Sequence, residues 1–462
     1  MRDAVHGDIQ LAAAYLPVLD AREMQRLRGI RQLGTAFHVY PTAQHSRFEH
    51  CLGTYHMTGR MLAHIRANHA ADPGSCALPT EEEARLARLA ALVHDIAHIP
   101  YGHAFEDQDG LLPRHDTRPR LERALAGGEI AAALEPLGGS RAVVDCLAPD
   151  PDSPAGDARP PVPAPPGGAR PFVRDLVAGS VSADLLDYLR RDALFTGLRV
   201  SYDERLLDAC KVDPESGRLY FDLTKHGMER EDVLSELLNL FRIRYICSER
   251  IYYHHAKVAS GALVSRAIEL CLASGMDPRH LERATDADFP YVLRAHVAER
   301  APAPGTPLAS VPRLLARFTE RKLPKRCFVA GLRGHETVQD ALVRQFVDDR
   351  EGRRALEAEL AATLAIDDPA DVVIYCPKKE MQLGEAGVIV RRVGETLRPL
   401  DDDRRGLPML DHLMRAYRDL WKLYVLIPAG ACSDWSRAAR RVEEVLGARF
   451  PGVHNVYRPV SG

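Results

Sequence analysis

Three features that would point to particular classes of protein are missing from this sequence. The nine cysteines are scattered and include no C-x-x-C pair, which fits reduced thiols in a cytoplasm better than a disulfide framework or a zinc knuckle. The net charge is only −3, so the chain has no global basic signal and nucleic acid is not an expected partner. No apolar run is long enough to span a bilayer, and the N-terminal MRDAVHGDIQLAAAYL contains no long apolar region. We therefore expect a soluble, cytoplasmic protein that does not bind membranes.

Helical periodicity dominates the first half of the chain. Thr80 followed by Glu83 has the form of a capping box, and the apolar residues after it recur at three- and four-residue steps. These apolar residues are Leu86, Leu89, Ala90, Val93 and Ala97. The pattern predicts a helix from near Thr80 to near Pro100, on which His94 and His98 share one face. Helical patterning resumes over residues 231–273.

Two segments divide the chain. The Pro- and Gly-rich stretch at 150–171 cannot form a packed element, which predicts a mobile surface loop within the helical domain. APAPGTP at 301–307 marks a second boundary, after which the runs CFVAG, DVVIYCP, GVIVRR and KLYVLIP alternate with helical segments as in a ferredoxin-like unit. We expect a mainly α protein with an all-helical domain at 1–300 and a smaller C-terminal α+β domain at 301–462, for which no motif indicates a role.

Three separated segments end apolar helical runs with groups that can bind a metal. They are HSRFEHCLG (His45, Arg47, Glu49, His50), VHDIAH (His94, Asp95, His98) and VSADLLDYLRRD (Asp184, Asp187, Asp192). A buried carboxylate is costly unless a cation or hydrogen-bond donors accompany it, and a metal ion supplies such a partner. Two imidazoles and two carboxylates favour Mn, Fe, Co, Ni or Zn over the all-oxygen shells of Ca or Mg. A divalent ion with open positions would activate water and polarise a phosphoryl oxygen.

The motifs RFEH at 47–50, HD at 94–95 and ADLLDYLRRD at 183–192 resemble those of the HD-domain phosphohydrolases. Within that family, the sequence is most similar to the branch of deoxynucleoside triphosphate triphosphohydrolases and vertebrate SAMHD-type enzymes. The resemblance extends from DAVHG at 3–7 to about residue 270. It implies an all-helical HD core, a homo-oligomer and a divalent transition metal, with Mg as an alternative second ion. The metal ligands that it implies are His50, His94, Asp95 and Asp184.

The resemblance also implies roles for residues around the metal. In the HDIAHIPYGHAFE stretch, His98 and His103 would line the phosphates and Glu106 would act with His103. The other implied catalytic residues are His115 and Arg47, the latter as a phosphate contact. The implied substrate-binding residues are Gln32 and Leu33 at the sugar and base, Tyr188 and Asp192 at the deoxyribose, and Tyr252 at the pocket wall. Leu33 and Tyr252 fit the pattern of core residues equally well.

The expected reaction is hydrolysis of a (deoxy)nucleoside triphosphate to nucleoside and tripolyphosphate. One departure favours an alternative, because Leu185 stands where vertebrate relatives have a lysine, and a charge-assisted phosphate contact would be lost. The alternative is a hydrolase of a nucleoside monophosphate or another phosphoester. Cations that could compensate are Arg190, Arg191, Lys211, Lys225, Arg250 and Lys257. A non-catalytic nucleotide- or nucleic-acid-binding protein is a third hypothesis, disfavoured by the intact ligand set.

Overall fold

A computed structural model describes residues 1–106, 111–148, 170–378 and 381–458. Helices dominate these residues, which confirms the mainly α prediction. The α-helices are α1 Leu16–Asp20, α2 Arg22–Arg26, α3 Arg47–Ala71, α4 Glu81–Val93, α5 Gly102–Glu106, α6 Arg118–Leu125, α7 Gly128–Leu134, α8 Gly139–Leu147, α9 Phe172–Ala178, α10 Ala183–Thr196, α11 Glu231–Cys247, α12 His255–Ala273, α13 Phe289–Arg300, α14 Val311–Thr319, α15 Gln339–Val343, α16 Arg350–Thr363, α17 Pro408–Arg418 and α18 Trp435–Arg449.

The strands are short and fall into four small sheets within the described residues. They are β1 Arg2–Asp3, β2 Gly7–Asp8, β3 Cys210–Val212, β4 Leu219–Asp222, β5 Thr224–Lys225, β6 Met228–Glu229, β7 Lys325–Gly331, β8 Val373–Tyr375, β9 Ile389–Arg391, β10 Arg398–Pro399 and β11 Lys422–Ile427. In the C-terminal region, β11 lies between β7 and β8 and is antiparallel to both. The smaller sheet-containing region predicted from the sequence is therefore present.

The ferredoxin-like arrangement predicted for that region differs from the observed topology. All four β-rich runs form strands, but β9 leaves the C-terminal sheet and joins a sheet with the order β10-β9-β4-β3. There β9 pairs in parallel with β4, with Val390 opposite Phe221, and both side chains are buried in one apolar core. Burial of these side chains against each other stabilises the pairing of β9 with β4. The domain boundary at residue 300 stays a prediction.

Helix α4 begins as predicted but ends earlier. Thr80 and Glu83 form both hydrogen bonds of a capping box, whereas the helix stops at Val93 with His94 as its C-terminal cap. Turns follow, in which the Ile96 amide donates to Val93 and the His98 amide donates to Asp95. Pro100 disfavours a helical conformation at the residue before it, which explains why the helix does not reach that proline. His94 and His98 therefore lie on successive turns rather than on one helix face.

The N-terminal cap of α4 also makes the stability of the fold depend on pH. Burial on its own raises the pKa of Glu83, but hydrogen bonds from Arg170 and from the Thr80 amide lower it to about 2, against 4.5 for an ordinary glutamate. A carboxyl whose pKa falls on folding stabilises the protein above its unfolded pKa, and this contribution is lost as the pH drops toward the folded pKa. We therefore expect Glu83→Gln to lower the free energy of unfolding by about 2 kcal/mol at pH 7, with the deficit disappearing between pH 4.5 and 2.

Urea unfolding of both proteins at a series of pH values measures this difference. Glu82 is an exposed residue in the same turn of α4, so Glu82→Gln is the matched control. Its free energy of unfolding should equal that of the wild type at every pH. A Glu83→Gln deficit that stays constant from pH 7 to pH 2 would contradict the assignment of the effect to this carboxylate.

Three further observations concern the remaining expectations. All nine cysteines are free thiols. No helix of the described ranges is long and apolar enough to cross a membrane. The predicted mobile loop at 150–171 lies outside the described residues, except for Arg170 and Pro171 at its end.

Candidate functional site

Three helix ends bring the predicted metal ligands together. His50 lies in the first turn of α3, His94 caps the end of α4, and Asp184 lies in the first turn of α10. The Asp184 Oδ1 atom is 2.8 Å from His50 Nε2 and 3.6 Å from His94 Nε2, and the two Nε2 atoms are 3.2 Å apart. One ligand atom from each of these residues lies within 4.8 Å of the others. We call His50, His94 and Asp184 the first cluster.

Asp95, the fourth predicted ligand, lies at the edge of the first cluster. Its Oδ1 atom is 3.5 Å from His94 Nε2, and its Oδ2 atom is 4.0 Å from His50 Nε2. Arg47 donates to the same Oδ2 atom at 2.7 Å. The structure thus places all four predicted ligands and the predicted phosphate-binding arginine in one group, in which His94 and Asp184 are partly exposed.

The electrostatics of the first cluster suit a divalent cation. Burial on its own lowers the pKa of both imidazoles, but hydrogen bonds to Asp184 and Asp187 raise that of His50 to about 10, and Asp95 and Asp184 raise that of His94 well above its usual range. The carboxylates therefore make this group of side chains favourable for bound positive charge. A transition-metal ion would supply that charge in place of the protons, and the mixed nitrogen and oxygen donors fit such an ion.

A second layer of buried residues fixes the orientation of His50. The Asp187 Oδ2 atom accepts from His50 Nδ1 at 2.7 Å, which turns Nε2 toward the first cluster. Arg191 donates two hydrogen bonds to Asp187, at 2.8 and 2.9 Å, and a third to Asp3 at 2.8 Å. His6 Nε2 lies 2.7 Å from Asp187 Oδ1. A carboxylate behind a ligating histidine is a regular feature of metal sites, because it sets the tautomer and raises ligand basicity.

The sequence signals for this second layer can be identified in retrospect. The sequence motifs indicate Asp187 only as a group that can bind a metal. They indicate Arg191 only as a cation that could compensate for Leu185. Their spacing of four residues on α10 places them on one helix face, where a buried ion pair can form. The DAVHG motif supplies Asp3 and His6 to the same group, and the Asp3 carboxylate also accepts from the backbone amides of residues 5 and 6.

The predicted histidines His98, His103 and His115 lie next to Asp95. The His98 and His115 rings stack with centroids 3.4 Å apart, and His103 lies 4.9 Å from His98. Burial lowers the pKa of both His98 and His115, so their imidazoles are neutral near pH 7. Only neutral imidazole nitrogens can accept a proton or bind a metal.

Glu106 contacts two buried side chains, His115 and Arg120. Its Oε2 atom lies 3.3 Å from His115 Nδ1, and Arg120 donates to its Oε1 atom at 2.7 Å. The resemblance implied that Glu106 would act with His103. Glu106 is buried on α5, with Arg120 of α6 paired to it, and its action with His103 stays a prediction.

The predicted substrate-binding residues line a cavity of about 1100 Å³. They are Gln32, Leu33, Tyr188, Asp192 and Tyr252. The first cluster and the histidines at 98, 103 and 115 line the same cavity. Both carboxylate oxygens of Asp192 have partners within the protein. Tyr252 donates to Oδ2 at 2.6 Å, and His45 Nε2 lies 2.9 Å from Oδ1. A π-helical turn at Ser248–Tyr252 after α11 brings Tyr252 to this position. Leu33 is 6% exposed and packs in the apolar core as well as lining the cavity.

Positive charge in the cavity comes mostly from residues that the sequence did not single out. The lining cations are Arg31, Arg47, Arg114, Arg118, Arg174, Arg244, Lys257 and Lys378. Among those expected to compensate for Leu185, Lys257 lies here, whereas Arg190, Arg191 and Lys211 are paired with acidic residues elsewhere. Arg244 lies 5.5 Å from the Tyr188 ring centroid and 5.0 Å from that of Tyr252.

Leu185 itself does not face this charge. It is 3% exposed and belongs to the apolar core, because a residue next to Asp184 on α10 points about 100° away from it. The replacement of a basic residue at position 185 therefore leaves the cations of the cavity in place.

Comparison with known proteins gives the family. The family model described as HD domain matches residues 47–144, and the one described as HD associated region matches residues 240–449. The chain therefore contains an HD domain, as its motifs predicted, followed by an HD associated region.

Several proteins are similar to this chain over somewhat more than half of its length. A deoxynucleoside triphosphate triphosphohydrolase SAMHD1 homolog from Dictyostelium discoideum is 29% identical over 280 residues, which are 59% of this chain and 48% of that protein. The triphosphohydrolase SAMHD1 of Bos taurus is 27% identical over 55% of this chain and 44% of its own length. The uncharacterized protein YwfO of Bacillus subtilis is 28% identical over 56% of this chain and 58% of its own. The chain spans about half the length of these relatives.

A solved structure shares the fold over nearly the whole chain. The crystal structure of a hypothetical protein from Aquifex aeolicus superposes with a TM-score of 0.65. The match covers 96% of this chain and 99% of that one at 22% sequence identity. The C-terminal region is therefore part of the shared fold.

Proposed function

We propose that this protein is a metal-dependent phosphohydrolase that cleaves a deoxynucleoside triphosphate to nucleoside and tripolyphosphate. One observation carries the proposal: a single cavity joins the first cluster, a set of cations and a wall of two tyrosines. A nucleotide has the matching parts, namely a phosphate chain, a reacting phosphorus and a flat base. The names of the relatives support the choice of substrate.

The residues at the phosphate end have roles that follow from their positions. His50, His94, Asp95 and Asp184 would hold the divalent ion, which when bound lowers the pKa of water and polarises a phosphoryl oxygen. Arg47 lies against Asp95 at 2.7 Å and lines the cavity, where its guanidinium would neutralise charge on the phosphate.

Proton transfer falls to His103 in this proposal. His98 and His115 are buried, at 1% and 8% exposure, whereas His103 is half-buried and lines the cavity. An imidazole in that position can give a proton to the leaving oxygen or take one from water. Glu106 would contribute through His115, whose Nδ1 atom it faces.

At the other end of the cavity, Gln32 and the tyrosines would bind the nucleoside. Within the described residues, the Gln32 Oε1 atom is buried and makes no hydrogen bond, so it can accept one from a sugar or base. Tyr188 and Tyr252 are edge to face with centroids 6.4 Å apart and offer an aromatic wall. Asp192 would act by holding the Tyr252 hydroxyl.

The alternative substrate is a nucleoside monophosphate or another phosphoester. Its basis was Leu185, whose burial in the apolar core weakens the argument. The third hypothesis, a non-catalytic binding protein, stays disfavoured because the intact ligands converge. The predictions of a homo-oligomer and of a cytoplasmic location stay predictions.

A product assay separates these functions. We expect the Mn²⁺-loaded full chain to release tripolyphosphate from one or more of the four dNTPs, and the His94→Ala, Asp95→Ala double variant to release none, because it lacks two of the four proposed ligands. The panel also contains the four NTPs and several nucleoside monophosphates, with tripolyphosphate and orthophosphate measured separately. Orthophosphate from a monophosphate, without turnover of any triphosphate, would replace this proposal with the phosphoester alternative. Nucleotide binding without any turnover would favour the non-catalytic hypothesis.

A further inference from the structure

One part of the cavity lies beyond the proposed metal ligands and the three histidines beside them. It is bounded by α6, α8 and α9, and α8 packs against both of the other two helices. The charged residues that line it are Arg114, Asp116, Arg118 and Arg174. We call this part of the cavity the basic lobe, because three of its four charged lining residues are arginines.

The course of α10 places the basic lobe and the nucleoside end on opposite sides of the first cluster. Tyr188 and Asp192 line the cavity one and two turns after Asp184, whereas Ser182 lines it just before. At 1.5 Å per residue, the wall from Asp184 to Asp192 extends about 12 Å along the helix. Helix α9 ends at Ala178 and leads into the start of α10. A phosphate chain that begins at the nucleoside end and passes the first cluster would therefore continue into the basic lobe.

Helix α9 turns one face toward the basic lobe. Arg174, Val177 and Ala178 all line the cavity, and their spacing of three and four residues places them on the same side of the helix. The next residue, Asp175, lies on another side, where it is buried and accepts from Arg218 at 2.7 Å. The exposed Arg174 side chain is therefore directed to the cavity and not to the acidic group beside it in sequence.

Arg174 also differs from most other cations of the cavity in having no acidic partner. Among the residues that the structure describes, its side chain makes neither a hydrogen bond nor an ion pair. A carboxylate pairs with each of five other lining arginines, which are Arg31, Arg47, Arg114, Arg118 and Arg244. An arginine without such a partner can bind an anionic ligand without giving up an ion pair.

We propose that the basic lobe is a subsite for the terminal phosphates of the substrate, and that Arg174 selects a triphosphate over a monophosphate. This inference rests on the proposed phosphohydrolase function and names the part of the chain that reads the length of the phosphate tail. A guanidinium presents several N–H donors in a planar fork that matches phosphate oxygens. Leu185 is buried and leaves the start of α10 without a cation, so Arg174 supplies one from the preceding helix. The phosphate of a monophosphate lies at the first cluster and does not reach Arg174.

The test compares the binding of nucleotides with long and short phosphate tails. The probes are the four dNTPs, the matching monophosphates and inorganic tripolyphosphate, titrated into the full chain after removal of metal with a chelator. Without metal no probe is hydrolysed, and tripolyphosphate cannot take an ion from the protein. We expect Arg174→Gln to weaken the binding of the dNTPs and of tripolyphosphate about tenfold and to leave monophosphate binding unchanged. Arg174→Lys keeps the charge and should recover part of the loss.

Arg85→Gln is the matched control. Arg85 is also exposed and has no ion pair within the described part of the chain, and it lies on α4, which packs against α9. It does not line the cavity. The control changes the net charge by the same amount and should bind every probe as the wild type does.

Each outcome decides between the basic lobe and the function on which it rests. Turnover of a dNTP by the wild type, together with equal dNTP affinities in the wild type and Arg174→Gln, would overturn the subsite and leave the proposed function in place. Equal losses in Arg174→Gln and Arg85→Gln would assign the effect to net charge and also overturn the subsite. Tripolyphosphate binding that depends on Arg174, on a protein that hydrolyses no nucleotide, would support the subsite and refute only the proposed function. Failure of the wild type to bind either a dNTP or tripolyphosphate would overturn both.

Discussion

Replacing Asp187 by asparagine is expected to weaken Mn²⁺ binding at the first cluster about 10- to 100-fold. Asp187 is fully buried, and its Oδ2 atom holds the Nδ1 of His50 at 2.7 Å. Burial alone would raise the pKa of Asp187, but Arg191, His50 and His6 hold it well below its usual range, so the residue is a carboxylate. An amide carries no charge to raise the basicity of His50. Calorimetric titration with Mn²⁺ measures the loss.

The same substitution should destabilise the fold by about 3–5 kcal/mol, because it removes one partner of a buried ion pair. Arg191 would lose the charged partner at position 187, where an asparagine offers one accepting oxygen instead of two, and would keep its ion pair with Asp3. Asp192→Asn is the matched control, because it also removes a buried carboxylate of α10 that faces a histidine. That histidine is His45, which lies outside the first cluster. Its Mn²⁺ affinity should stay within about twofold of the wild type. Equal affinity losses in the two variants would show that any damage to α10 disturbs the metal site.

Gly53→Ala is expected to lower the free energy of unfolding by about 3 kcal/mol or more. A Cβ at Gly53 on α3 would lie 1.8 Å from Asp187 Oδ1 and 2.5 Å from Arg191 Nη2, so the buried ion pair would have to move. Overpacking alone costs about 1–3 kcal/mol, and breaking the pair adds to that. Alanine in a helix otherwise gains about 1 kcal/mol over glycine, so the expected sign opposes helix propensity. Urea unfolding measures the change.

Gly59→Ala gives a matched control six residues further along the same helix. A Cβ there would lie 2.9 Å from Arg88 Nη2, the far end of a flexible side chain that can move. The control should be neutral or more stable than the wild type. Equal stability of Gly53→Ala and Gly59→Ala would mean that α3 and α10 can move apart with little loss of free energy. The close packing of Gly53 against Asp187 and Arg191 would then not be needed for stability.

Local signals made much of this architecture predictable. The capping box at Thr80 and Glu83 fixes the start of α4 through neighbouring residues, and the structure confirms it. The implied ligands converge because they stand near the ends of three helices. Of these helices, α4 and α10 both pack against α3. The role of each site residue stays a prediction.

Other features depend on contacts that no local pattern encodes. The Glu106 carboxylate that faces His115 is also held by Arg120, which belongs to another helix. Arg244 reaches the cavity only because α11 packs beside Tyr188, and its sequence context is an ordinary helical face. The end of α4 at Val93 was not predictable from the pattern, because the helical periodicity continues past it and Pro100 restricts only the residues close before it.

The pairing of β9 with β4 makes the two halves of the chain interdependent. A shortened chain ending near residue 300 would lose β9, and β4 would keep only β3 as a neighbour, with an unpaired edge beside Phe221. Such open edges invite association with other chains. The same truncation would remove Tyr375, Lys378 and Met381 from the cavity wall. Substitutions in the C-terminal region can therefore change the wall of the cavity. Loss of the whole region would leave a sheet in the first half of the chain with an unpaired edge.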